Sequence, residues 1–370
     1  MIPVSSPVIT LNDIKFVKKA LSEGWVSSAG PYIELFEKNF SRFLKKKYCI
    51  ALSSGTAALE VALRAIDIKK GDEVIIPNFT IISNALAVVK LDATIVPIDC
   101  DFDTWNMNIQ ELEKKITKKT KAIVATHIYN FPLQIEKIQK ICKKHKIFLI
   151  EDAAEFLGLK YKNKQCGSFG DISIFSFYSN KQITTGEGGM ICTSSLLLSK
   201  KCRSLINLCF GKKDRFNHED IGWNYRMTNI QAALGISQLK RIKKIVKKKM
   251  LIGKLYYERL KKNKNLFIPP PKNSYSQNIY WVIGIVILNT KNKLNAKKIS
   301  KILYKNNIIT RPFFWPMSEQ KILRNYIIKK NIRYPVSKYI SKYGLYLPSG
   351  MDLTVKQINF ICNKVNDVIR

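Results

Sequence analysis

From Tyr48 to about Thr193 the chain alternates short β-rich runs with helical ones. "YCIAL" precedes the helical "GTAALEVALRAI", and "DEVIIP" precedes "TIISNALAVVKL". "TIVPID", "KAIVATHI" and "IFLIED" follow, with the amphipathic "QIEKIQKICKKHK" between the last two, and then "DISIFSF" and "GGMICT". Strands this apolar, separated by helices, require an α/β fold whose central sheet is mostly parallel and covered on both faces. After Leu234 the pattern changes. "AALGISQLKRIKKIVKKKMLIGKLYYERLKK" reads as one long helix with leucine and isoleucine inward and lysine outward. Beyond the prolines at 269–271, "IYWVIGIVIL" and "IITRPFFW" read as strands, with "NAKKISKILYKNN" a helix between them. We therefore expect a large domain over residues 1–240, including the N-terminal segment, and a smaller C-terminal α+β domain over 241–370. A chain of 370 residues is long enough for both.

Composition narrows the function. No apolar run approaches the roughly 18–20 residues of a membrane span. The start, "MIPVSSPVITLND", lacks the basic and apolar regions of a secretion signal, so a mature cytoplasmic protein is expected. The eight cysteines form no C-x-x-C pair, and the three histidines are far apart in sequence. Reduced thiols and no metal cluster are the expectation. The formal charge of +36 would suit a nucleic-acid or membrane-surface partner. Its lysines, however, are spread along the chain in "LKKKYC", "ELEKKITKKTK" and "RIKKIVKKKM", as solvated helix faces in a lysine-rich composition would be. No helix-turn-helix or concentrated basic arm accompanies them, which disfavours a non-catalytic nucleic-acid-binding or regulatory protein.

Three stretches carry candidate chemistry. In "ALSSGTAALEVAL" a strand ends, a turn follows and a helix begins. Ser54, Gly55 and Thr56 either offer free N–H groups to a phosphate or simply cap and pack the helix. In "IFLIEDAAEFLG" a buried strand ends in Glu151-Asp152. Asp152 is either a helix cap or a carboxylate at the end of a parallel strand, where α/β sheets bind ligands. In "FSFYSNKQITTGEGGMI", Lys181 lies 29 residues after Asp152, between an aromatic strand and three glycines. Alone it reads as one more surface lysine; desolvated, it could form a Schiff base with an aldehyde cofactor. A phosphate cradle, a carboxylate for a pyridinium nitrogen and such a lysine, in this order, meet the needs of pyridoxal phosphate. In "NIITRPFFWPMS", Arg311 suits a diphosphate, and Phe313, Phe314 and Trp315 suit a sugar or base face or, equally, a core.

"SSGTAAL", "EDAAE", "GSFGDISIFSFYSNKQITTGEGGM" and "GWNYRMTNIQAALG" together resemble the signature of the DegT/DnrJ/EryC1/StrS family of nucleotide-sugar aminotransferases. The resemblance covers nearly the whole chain and implies the fold-type I, aspartate aminotransferase-like architecture. It implies pyridoxal phosphate (PLP, or its pyridoxamine form) as cofactor, L-glutamate as amino donor and a homodimer with shared active sites, with a tetramer left open. "RPFFWPMS" and "CRSLINLCFGKKDRFNHEDIGWNYRMTN" resemble the GDP-perosamine synthase branch. That implies GDP-4-keto-6-deoxy-mannose as substrate, with UDP- or dTDP-4-keto-6-deoxyglucose as the alternative, and a role in O-antigen or other surface polysaccharide synthesis.

Carried over residue by residue, the resemblance makes Lys181 the Schiff-base lysine and proton shuttle. Asp152 would meet the pyridinium nitrogen. Glu155 stands where many relatives have Gln facing the ring hydroxyl, and a glutamate there must be protonated or paired. Ser54, Gly55, Thr56 and Ser176 would bind the phosphate, and Asn224 the phosphate of the neighbouring subunit. Ile81 replaces an aromatic residue that stacks on the ring in some relatives, and Ser318 replaces a histidine. Trp25, Ser27 and Gly30 would lie near the sugar nucleotide, together with Arg311, Phe313 and Trp315. Tyr225 and Arg226 would serve the substrate or the dimer contact.

Overall fold

The computed structural model describes residues 1–211, 213–288, 294–328 and 332–370. Two helices lead in, α1 (Leu11–Ser22) and α2 (Pro31–Leu44). The alternating region then gives β1 (Tyr48–Leu52), α3 (Gly55–Ala65), β2 (Glu73–Pro77), α4 (Ser83–Val89), β3 (Thr94–Ile98), the short α5 (Ile109–Leu112) and β4 (Thr120–Thr126). After these come α6 (Ile135–His145), β5 (Phe148–Asp152), a small hairpin of β6 (Lys160–Tyr161) and β7 (Lys164–Gln165), β8 (Ile172–Ser176), β9 (Gly189–Thr193) and α7 (Leu196–Leu205). These build a seven-stranded sheet in the order β1-β9-β8-β5-β4-β2-β3. Strand β9 runs antiparallel to both its neighbours, and the other pairs are parallel. The mostly parallel sheet is as expected.

Burial on both faces follows from the side-chain period of two. In β1, Ile50 and Leu52 enter one core, with Ala58 and Val61 of α3. Cys49 and Ala51 enter the other, with Phe36 and Phe40 of α2. The edge strand β1 is closed by side chains: Ala51 N–H donates to Glu37, and Arg203, paired with Glu37 at 2.6 Å, donates to the Cys49 carbonyl.

The expected single long helix is two. Helix α8 (Asn229–Lys240) ends at Arg241, and α9 (Ile242–Leu260) starts beyond it. Arg241 is drawn out of helical geometry toward the N-terminal segment, donating to Asp13 Oδ2 at 2.5 Å and to the Val8 carbonyl at 2.7 Å. Helix α9 leads to a second sheet of β10 (Leu266–Phe267), β11 (Ile283–Ile287), β12 (Arg311–Pro312) and β13 (Gly344–Leu347). Its order is β10-β11-β13-β12, antiparallel throughout. Helices α10 (Ala296–Lys305), α11 (Pro335–Tyr343) and α12 (Val355–Val368) complete this part, whose core joins Ile252 and Tyr256 of α9 to Ile285 and Ile361. Among the described residues no helix is long and apolar enough to cross a membrane, and no group of three or more His, Cys, Asp or Glu could hold a metal.

Candidate active site

The parallel strands β4, β5 and β8 end on one edge of the large sheet, at Thr126, Asp152 and Ser176. The turn after β1 reaches the same edge. Side chains from these ends line a cavity of about 400 Å³, within the range of small-molecule sites. Ser54, Gly55, Thr56, Ile81, Thr126, Asp152, Glu155, Ser176, Lys181, Trp281, Phe314 and Tyr346 all face it.

The helix end is prepared for an anion. Ser54 caps α3, its Oγ accepting the Ala57 N–H at 3.1 Å. A Cβ added at Gly55 would lie 2.8 Å from the Ser176 Cβ, so the glycine lets β8 close against the turn. Thr56 Oγ1 lies 2.8 Å from Ser83 Oγ at the start of α4. Two hydroxyls and the first N–H groups of α3 thus share one small area, where the helix dipole favours negative charge.

Asp152 sits opposite. Its Oδ2 accepts from Asn84 Nδ2 at 3.1 Å, and its Oδ1 accepts from the Ala154 N–H at 3.1 Å. Burial pushes its pKa up, against the Ala154 N–H, the Asn84 amide and the Lys181 charge, and the net direction is upward. The neighbouring Glu151 points through the sheet to the other side. It accepts from His127 Nε2 at 3.0 Å and from the N–H groups of Gly167, Phe169 and Gly170. Because His127 Nδ1 accepts the Leu133 N–H, its Nε2 is the protonated nitrogen. Burial raises the Glu151 pKa, but these donors outweigh it and the net shift is downward.

Lys181 rides on the loop between β8 and β9. That loop is pinned by Phe177 N–H to the Gly188 carbonyl at 2.8 Å, by Thr185 N–H to the Phe177 carbonyl at 3.0 Å and by the Gln182 amide to the Glu155 carbonyl. The lysine is half-buried at the cavity wall. Desolvation lowers its pKa, with Glu155 and Asp152 opposing. Glu155 accepts the Tyr129 N–H at 2.7 Å, and burial carries its pKa up to about 8. Burial therefore favours a free amine beside an uncharged acid, the state in which a lysine is nucleophilic.

Other expected residues lie elsewhere. Phe313 does not face the cavity. It is buried among Phe79, Trp105 and Tyr129, and its neighbour Phe314 takes the cavity wall. Trp315 is exposed, and Arg311 is exposed on β12 opposite Tyr346. Trp25 and Ser27 are exposed, and Gly30 caps α2 with φ 143° against the Trp25 ring. Asn224 is exposed and outside this cavity. Tyr225 donates to Glu60 and Arg226 to Asn207, both at 2.7 Å. The sequence reading missed Asn84, Thr126, Trp281 and Tyr346. Thr126 was within reach of it, as the last residue of β4 and the register partner of Asp152.

An amine on one loop, two buried carboxyl groups and a helix N-terminus meet around one cavity at the strand ends of an α/β sheet. The chain belongs to the DegT/DnrJ/EryC1/StrS aminotransferase family, whose model matches residues 7–366. It is 37% identical over 367 residues to the GDP-perosamine synthase of Escherichia coli O157:H7, covering 99% of this chain and 98% of that one. It is 36% identical over 368 residues to the GDP-perosamine synthase of Vibrio cholerae, covering 99% of each. Among solved structures, Helicobacter pylori PseC, an aminotransferase involved in the biosynthesis of pseudoaminic acid, superposes with a TM-score of 0.93 at 26% identity over 100% of this chain and 99% of that one.

Proposed function

We propose that this protein is a PLP-dependent aminotransferase that moves the amino group of L-glutamate to C4 of a nucleotide-linked 4-keto-6-deoxy sugar. The sugar we favour is GDP-4-keto-6-deoxy-mannose, giving GDP-perosamine. One observation carries the reading: Lys181, Asp152 and Glu155 meet in one cavity with the N-terminus of α3. The likeness to two GDP-perosamine synthases favours GDP over UDP or dTDP.

The residues fit the cofactor. The upward pull of burial on Asp152 is what a cationic ring nitrogen would offset. An uncharged Glu155 has a proton to donate to a ring oxygen. Ser54, Gly55, Thr56 and Ser176 would hold the phosphate, and Ile81 would give an aliphatic wall. When bound, PLP supplies an aldehyde for amines and a ring that accepts the electron pair of a breaking C–H bond. Lys181 would anchor the cofactor and, once released, take and return the proton at the substrate carbon in both half-reactions. Asn224, exposed in a single chain, would serve the phosphate site of a second copy, which makes the homodimer the working unit. Phe314, just beyond β12, and Tyr346 of β13 would face the sugar, with Arg311 near its diphosphate. Trp25, Ser27 and Gly30 would lie near the sugar nucleotide, and Tyr225 and Arg226 would serve the substrate or the dimer contact.

Purified protein loaded with PLP, then given L-glutamate and then GDP-4-keto-6-deoxy-mannose, tests this. The visible absorption of the bound cofactor should fade with glutamate and return with the sugar, and GDP-perosamine should be found by mass spectrometry. Return only with UDP- or dTDP-linked sugars would change the nucleotide. Lys181→Arg should keep the fold and lose turnover by about 10²–10⁴-fold or more; retained turnover would sink the assignment.

A further inference from the structure

Trp281 stands directly against the amine on which the proposed reaction depends. It precedes β11, in the segment that links β10 to β11 within the small sheet, and is buried. The Lys181 Nζ lies over its ring, 3.9 Å from the centroid. Its indole N–H donates to the carbonyl of Asn180, the residue before Lys181, at 3.0 Å. The ring is backed by Tyr129 at 5.7 Å, and the Trp281 N–H donates to the Tyr129 carbonyl at 3.3 Å. Tyr129 N–H in turn holds Glu155. One side chain therefore grips the Lys181 loop by its backbone and offers a π face to its side chain.

We infer that Trp281 is a positioning residue for Lys181: its ring is the seat of the free amine, and its N–H fixes the loop that carries it. This rests on the aminotransferase reading above, in which the lysine must act while detached. A flexible four-carbon side chain has many rotamers, and a proton transfer needs one of them. An aromatic face attracts the ammonium form but leaves the amine no covalent or ionic tether, so the amine can leave the seat and return to it. The seat also acts on basicity. Burial drives Lys181 toward the neutral amine, and Glu155 and Asp152 oppose it; the π face of Trp281, 3.9 Å from the Nζ, adds to them by favouring the cation.

The test reads the amine in protein stripped of cofactor. Lys181 is labelled with trace acetic anhydride across a pH series, and its acetylation is measured by peptide mass spectrometry against exposed lysines. Trp281→Leu should move the Lys181 midpoint down by roughly 0.5–1.5 pH units. Trp281→Phe keeps a π face and should move it by less than half as much. Trp281→Phe does lose the donor to Asn180, so amide exchange at residues 180–182 should quicken relative to the wild type. In loaded enzyme, Trp281→Leu should lower kcat with little change in the KM for glutamate. Were the Leu midpoint unmoved in folded protein, the inference would fail. If Trp281→Leu does not fold, unchanged amide exchange in Trp281→Phe overturns it. Borohydride fixation of PLP separates the two readings: attachment at a lysine other than Lys181 defeats the proposed function, while the labelling shift still decides the role of Trp281.

Discussion

Glu155 is the residue whose charge state most affects the site. Desolvation raises its pKa to about 8, with Lys181 and the Tyr129 N–H opposing. An unfolded glutamate titrates near 4.3. The folded state thus holds the extra proton between roughly pH 4.3 and 8, and the stability linked to that proton declines as pH rises through this window. The same proton is the one a ring oxygen would receive. Glu155→Gln keeps a donor at every pH, so its PLP affinity should stay level from pH 6 to 10. Wild-type affinity should fall about tenfold per pH unit above about 8. Fluorescence titration of apo protein with PLP at several pH values distinguishes them, and an equal alkaline loss in both would show that Glu155 is already ionised at neutrality.

Helix α3 shows how an element converts a sequence pattern into a binding surface. Ser54 caps it, Gly55 and Thr56 open its first turn, and the missing Cβ of Gly55 is what allows Ser176 of β8 so close. Gly55→Ala gains helix propensity of roughly 1 kcal/mol but forces a contact whose overpacking costs about 1–3 kcal/mol. Apo stability in urea should therefore drop by no more than about 2 kcal/mol, while PLP affinity falls at least about tenfold, because the proposed phosphate seat is what widens. A variant that binds PLP normally would remove the phosphate site from this helix end. Elements like this were legible beforehand because strand, turn and helix start are adjacent in sequence. Ser54, Gly55 and Thr56 stand at such a junction, Asp152 and Ser176 end strands, Glu155 and Lys181 follow shortly after them, and all line the cavity. Trp281 was not legible: it lies inside an apolar run read as one strand, yet β11 begins only at Ile283. Phe313 and Phe314 are adjacent aromatics, and only tertiary packing decides which faces the core. The break at Arg241 depends on Asp13, 228 residues away, which no local period records.

At the scale of the whole molecule, Lys249 joins the parts and sets a pH dependence. It lies in α9, buried, and its Nζ donates to the Ser349 carbonyl at 2.8 Å and to Ser349 Oγ at 3.2 Å, just beyond β13. Ser349 N–H continues to the Val4 carbonyl, so long helix, small sheet and N-terminal segment meet there. The same polar pocket reaches Asn180, Lys181 and Gln182, with Arg241 as a further cation. Desolvation lowers the Lys249 pKa to about 7. The unfolded lysine keeps its proton to about pH 10.4. Between these values the unfolded state binds more protons, so this group makes stability rise with pH from about 7 upward, by up to about 1.4 kcal/mol per unit. Below pH 7 both states are protonated and its cost is constant. Lys249→Met removes the titration and conserves most of the volume. The difference between wild-type and variant unfolding free energies, measured in urea from pH 6 to 9.5, should be level at first and then move in favour of the wild type. A difference that stays level throughout would mean that Lys249 keeps its proton in the folded state, its ammonium stabilised by the Ser349 oxygens and water within the pocket.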